Sequence, residues 1–115
     1  MLLPQPVTSS LSDHEFCVSL KLQPQDACFA GHFDGLPVLA GVIQVGWVFG
    51  FAEQMLERRF EFLGLASNKF LQLVRPPVTL QLTVQYQRDQ GRLKFVYRMP
   101  NGVCSRGAIN VRELS

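Results

Sequence analysis

Along residues 14–23 apolar and polar side chains alternate, with Phe16, Val18, Leu20 and Leu22 on one side and Cys17, Ser19, Lys21 and Gln23 on the other. A period of two puts each set on one face of a pleated chain, so this stretch is predicted as a half-buried strand. Pro24, Gln25 and Asp26 break it, residues 27–30 form a short apolar piece, and residues 31–37 carry two glycines and a proline, the composition of a loop. From residue 39 to about residue 59 the spacing turns helical, but Val42, Ile43, Val45, Trp47, Val48, Phe49, Phe51, Ala52, Met55 and Leu56 leave no wide polar face. A helix apolar on all sides must be enclosed. Glu53, Gln54, Glu57, Arg58 and Arg59 mark where it reaches solvent, the two arginines being expected near the negative end of its dipole.

After Gly64 the period of two returns, and strands are predicted over residues 69–74, 78–87, 92–99 and 103–114. Arg88-Asp89-Gln90-Gly91 and Pro100-Asn101-Gly102 read as the turns that join the last three. One all-apolar helix among consecutive antiparallel strands predicts an α+β architecture in which a single sheet curls around that helix. The 115 residues fit one domain, spanning 1–115.

Hydrophobic residues make up 47% of the chain and charged residues 17%, a balance that points to apolar surface buried against another subunit. Cys17, Cys28 and Cys104 form no CxxC pair, so no disulfide framework or metal site is expected and the thiols read as reduced and cytoplasmic. The first six residues lack a basic start and a long apolar run, which argues against a signal peptide. Residues 36–52 are nearly all apolar, yet Pro37, Gly41, Gln44, Gly46 and Gly50 interrupt them, so a buried helix is expected in place of a membrane span. The formal net charge is +2, but residues 88–115 hold Arg88, Arg92, Lys94, Arg98, Arg106 and Arg112 against only Asp89 and Glu113. This basic end reads first as a solvated strand face and second as a docking patch for an acidic protein or a phosphate-bearing carrier; no nucleic-acid module is recognisable.

The candidate chemistry lies in Gly31-His32-Phe33-Asp34-Gly35-Leu36-Pro37-Val38-Leu39-Ala40-Gly41-Val42. A loop histidine facing the start of an apolar helix sets a titratable base beside preorganised N–H donors. Removal of a weakly acidic α-proton from a carbonyl compound needs such a base and a donor that strengthens as the carbonyl oxygen gains charge, roles that fit His32 and Gly41. His14, in a strand with no motif around it, reads as structural.

These residues resemble the hot-dog-fold 3-hydroxyacyl-acyl carrier protein dehydratases, whose pattern runs roughly G-H-F-P-G-x-P-x-M-P-G-V before the central helix. Gly31-His32-Phe33, Gly35, Pro37 and Gly41-Val42 carry the match, and Phe70, Val74, Pro76 and Leu80 echo a second element of the family. With Gln44 after Gly41-Val42-Ile43, the chain looks closest to the short ApeI-like dehydratases associated with aryl polyene clusters. The resemblance implies a hot-dog fold and a substrate on the phosphopantetheine of an acyl carrier protein, with no cofactor. It implies that His32 removes the α-proton of a 3-hydroxyacyl thioester, that the Gly41 amide binds the thioester carbonyl, and that the Val38 backbone carbonyl orients the imidazole. The acyl chain would run in a tunnel at a dimer interface, for which Trp47, Phe51, Phe70 and Leu73 are candidate walls.

Where the family carries a glutamate or aspartate fourteen residues after the histidine, to protonate the departing hydroxyl, this chain has Gly46. Ala40 and Pro77 also stand where the family has proline and glycine. Three residues are candidate substitutes for the acid: Gln44, Asp34 and Glu53. Gln44 lies about 160° around the helix from position 46 and Glu53 about 10 Å along it, while Asp34 sits beside His32. Two alternatives to a dehydratase follow: an acyl-binding or heterodimer subunit without the acid, and a thioesterase on the same fold. The expected assembly is a homodimer or higher homo-oligomer, or a heterodimer with another hot-dog chain.

Overall fold

The structure, a computed structural model, describes residues 2–30 and 37–115. Its elements are β1 (Thr8–Leu11), β2 (Glu15–Leu22), α1 (Gly41–Leu56), β3 (Arg59–Phe70), β4 (Val78–Gln87), β5 (Arg92–Met99) and β6 (Gly102–Leu114). Single 3-10 turns occupy Ala27–Phe29 and Arg88–Gln90. The strands form one six-stranded sheet in the order β1-β2-β4-β5-β6-β3, with every neighbouring pair antiparallel. This is the α+β arrangement read from the pattern, with the helix against one face of the sheet.

Alternation decides what the sheet buries. Phe16, Val18, Leu20 and Leu22 of β2, Leu80, Leu82, Val84 and Tyr86 of β4, and Leu93, Phe95 and Tyr97 of β5 all face the core. There they meet Trp47, Val48, Phe51 and Ala52 of α1. The register between β2 and β4 sets Val18 opposite Leu82 and Leu20 opposite Leu80, so apolar side chains stack across the strands.

Three sequence expectations are corrected and one strand is added. The helix ends at Leu56, short of residue 59, because Glu57 turns into the left-handed region (φ 53) and reverses the chain. Arg58 and Arg59 therefore lie beyond its last turn, Arg59 opening β3. The strand expected over residues 69–74 is the far end of a longer one: β3 runs from Arg59 to Phe70, and residues 71–77 leave the strand conformation. Two register shifts against β6, at Phe62/Gly64 and Leu65/Ser67, break the alternation that would have revealed β3. β1 also went unpredicted, since all four of its residues are exposed and show no apolar face. Finally, the sheet covers only one side of α1. Val42 is 78% exposed, and Ile43, Val45 and Phe49 are half-buried, so one copy of the chain does not enclose its helix.

Candidate active site

Gly41 is the first residue of α1, and Ala40 before it is extended (φ −64, ψ 145). Alanine has no side-chain oxygen with which to cap a helix, and the Ala40 carbonyl is taken by the N–H groups of Ile43 and Gln44, both at 3.1 Å. The Gly41 and Val42 N–H groups therefore point out of the helix with no acceptor among the described residues. The dipole of a sixteen-residue helix adds partial positive charge at that place.

Phe70, at the end of β3, lies across this helix start. A Cβ on Gly41 would overlap the Phe70 ring, with Cε2 at 2.9 Å, so the aromatic contact requires glycine here. Phe70 pairs with Ser105 of β6, which fixes the ring at the level of the first helical turn. On the other side, the Leu39 N–H donates to the Val74 carbonyl at 2.8 Å and ties the segment before the helix to the one after β3.

His32 and Asp34 lie outside the described residues. Val38 is half-buried three residues before Gly41. Gln44 is turned into the protein, 3% exposed, with its side-chain nitrogen 3.1 Å from the Leu39 carbonyl and its oxygen accepting from Ser105. Glu53 sits at the opposite end of α1, about 18 Å from Gly41 at 1.5 Å per residue, and its carboxylate accepts the Phe60 N–H at 2.9 Å. Neither residue is placed to deliver a proton at the helix start. Of the four tunnel candidates, Trp47 and Phe51 belong to the core, Trp47 also bordering a cavity of about 310 Å³ with Leu3, Leu22 and Cys28. Phe70 and Leu73 stay at the surface, Leu73 being 69% exposed. The structure thus joins Phe70 to Gly41, with Trp47 and Phe51 buried in the core.

Ser105 and Tyr97, which the sequence did not single out, join this site. The Tyr97 hydroxyl donates to the Gln44 main-chain carbonyl at 2.6 Å, and burial holds its pKa well above the ordinary tyrosine value, so it remains a donor. Burial likewise raises the Cys104 thiol, whose sulfur lies 3.4 Å from the Tyr97 carbonyl. Among the described residues no group of three or more His, Cys, Asp or Glu side chains could hold a metal ion. No helix among them is long and apolar enough to cross a membrane.

Known proteins share this architecture. The family model for ApeI-like proteins, described as ApeI dehydratase, matches residues 8–108. A 3-hydroxyacyl-[acyl-carrier-protein] dehydratase FabZ of Latilactobacillus sakei is 34% identical over 92 residues, covering 73% of this chain and 66% of that protein's length. Among solved structures, the dehydratase heterocomplex ApeI:P from Xenorhabdus doucetiae superposes with a TM-score of 0.87 at 29% identity, covering 94% of this chain and 96% of its own. An uncharacterized protein from Erwinia carotovora gives 0.84 at 28% identity, over 98% of both chains. The sheet and its central helix are the hot-dog fold of these dehydratases, and the chain belongs to the ApeI-like dehydratase family.

Proposed function

We propose that the chain removes water from a 3-hydroxyacyl thioester carried on an acyl carrier protein, giving the trans-2-enoyl thioester, in fatty acid or polyene-type lipid assembly. His32 takes the α-proton while the Val38 carbonyl accepts the other ring N–H and holds the imidazole in the working tautomer. The electron pair of the broken C–H bond moves onto the thioester oxygen, where the Gly41 amide donates to it. It then returns to form the Cα–Cβ double bond as the β-hydroxyl leaves, protonated, as water. The observation that carries this reading is the open helix start: two N–H donors without acceptors among the described residues, roofed by Phe70, in a dehydratase fold.

The hydroxyl needs a proton, and Gly46 cannot give one. Gln44 and Glu53 are committed elsewhere, which leaves Asp34 or a second chain. The molecule has the surface for a second chain. β3 is an edge strand of twelve residues with Phe62, Leu63 and Leu65 exposed along it, and Val42 stands uncovered on the helix. A dimer across this edge is our reading, with apolar tunnel walls at Phe70 and Leu73. The structural relative described as a heterocomplex supports a second form of it, in which this chain pairs with a different hot-dog subunit that supplies the acid. Three free thiols suit a reducing, cytoplasmic setting.

The test is incubation with a 3-hydroxyacyl-carrier thioester, alone and with a homologous hot-dog partner, following loss of water by mass spectrometry. Turnover by the chain alone that disappears in His32→Ala supports a self-sufficient enzyme. Turnover only with the partner supports the heteromeric form, and release of free acid in place of water would replace dehydration with thioester hydrolysis. Gly46→Asp sharpens the result: it raises turnover about tenfold or more if a copy of this chain faces His32, and leaves it unchanged if another subunit already provides the acid.

A further inference from the structure

Three neutral polar side chains meet at the first turn of α1, all closed to solvent: Gln44 at 3% exposure, Ser105 and Tyr97 at 0%. Each polar atom of Gln44 has a partner suited to it. Its Nε2 donates to the Leu39 carbonyl at 3.1 Å, its Oε1 accepts the Ser105 hydroxyl at 2.7 Å, and its main-chain carbonyl accepts the Tyr97 hydroxyl at 2.6 Å. Since the Leu39 carbonyl can only accept, the amide has one permitted orientation, and Ser105 must donate. With its N–H on Val74 and its carbonyl on Gln44, Leu39 is held at both polar groups.

The sheet carries an irregularity beside this contact. Tyr97 pairs with Ser105 and Arg98 with Val103, so Cys104 is an extra residue on β6. Cys104 and Ser105 are consecutive and both fully buried, the extra residue adding a buried side chain beside the regularly paired one. Ser105 is the cross-strand partner of Tyr97, so its hydroxyl lies on the same face and meets Gln44, and on its other side Ser105 pairs with Phe70, the residue lying on Gly41. A hydrophobic side chain at position 44 would have packed here without a partner; an amide matched at both ends specifies where residues 38–41 lie.

We infer that Gln44, keyed by Ser105 and Tyr97, is a positioning residue: through the Leu39 carbonyl it sets where the Val38 carbonyl and the Gly41 amide stand relative to a thioester. The inference rests on the dehydratase reading of this site. Gln44 transfers no proton, because both ends of its amide are occupied. Its contribution is geometric, and small displacements of an oxyanion donor have large effects on rate.

Two rates test it, measured for the full chain with its partner subunit if one is required. One is water loss from a 3-hydroxyacyl pantetheine thioester. The other is exchange of the α-hydrogens of a saturated acyl pantetheine thioester in deuterium oxide, which needs the base and the carbonyl donor but no acid. Gln44→Met is expected to lower kcat and the exchange rate about tenfold or more, with KM within about threefold and a retained thermal transition; Ser105→Ala is expected to lower both about three- to tenfold. If Gln44→Met does not fold, Ser105→Ala, which removes one hydroxyl, decides alone by the same kcat-against-KM split. Exchange that persists without water loss, and that slows in these variants, overturns dehydration while supporting the role of Gln44. Exchange rates within about twofold of wild type in the folded variants, or no exchange in wild type, overturn the inference.

Discussion

The two ends of α1 are built in opposite ways. At the C-terminal end most polar groups are answered by others, largely with charge, the buried Arg58 Nε being an exception. The Glu57 and Arg58 N–H groups donate to the Glu53 carbonyl, the Glu53 carboxylate accepts the Phe60 N–H, and Glu113 takes both an Arg58 N–H and the Tyr86 hydroxyl at 2.9 Å. Among the described residues, the N-terminal end leaves two donors open and sets beside them neutral groups held by uncharged partners. A carboxylate there would occupy the donors or offset their field, whereas an amide and two hydroxyls fix the backbone without changing local charge. The charged end is partly open to water, where such groups are cheap to keep and contribute modestly. One helix thus has an end that holds the fold and an end whose first N–H groups have no acceptor among the described residues.

The largest effects that would break this contrast belong to the open end. His32→Ala is expected to reduce turnover about 10²- to 10⁴-fold in a steady-state assay, with an unchanged thermal midpoint; comparable turnover would move the chemistry elsewhere. Gly41→Ala is expected to follow, with a loss on the order of 10²-fold, because the new methyl displaces the Phe70 ring. Adding Phe70→Ala should recover part of that loss, a non-additivity measurable as a double-mutant cycle.

At the closed end the effects move from rate to stability. Tyr86→Phe removes the hydroxyl bonded to Glu113 and is expected to cost about 0.5–1.5 kcal/mol in denaturant unfolding with kcat unchanged. Smallest and most specific is a pH effect. The Tyr86 hydroxyl, then the Arg58 guanidinium, hold the Glu113 carboxyl below its ordinary value. A depressed carboxyl stabilises the fold above the unfolded value, about 4.3, and that stability is lost as pH falls through the folded value. Thermal midpoints followed downward from pH 6 should therefore fall more steeply in wild type than in Glu113→Gln; equal slopes would remove Glu113 from the account.

The sequence was legible wherever one face of an element is buried and the other wet. β2, β4 and β5 have the expected alternation because their polar residues meet water and their apolar ones the core. β1 was silent for want of a buried face, and β3 because its bulges change the phase of the pattern twice. The helix end was misread since Glu57 in a left-handed turn differs little, as a letter, from one more polar helical residue. At the site, Gly41 was visible through its motif. Gln44 stands out in the sequence for its chemistry, but its orientation depends on Ser105, which a period of two counted back from Val111 and Ile109 puts on the inward face while saying nothing of the amide it meets; only Cys104, the additional residue, departs from that period.

That additional residue makes one position of β6 unlike the others in what a gap would do. Deleting Cys104 would leave Ser105 opposite Tyr97 and Val103 opposite Arg98, a regular ladder that keeps the Ser105 hydroxyl on the inward face and removes only the buried thiol. A single gap between Ser105 and Val111, where the pairing with β5 is regular, would instead turn the side chains on one side of it to the wrong face. Across descendants of this chain, a missing residue at position 104 should therefore be tolerated more readily than one a few positions further along β6.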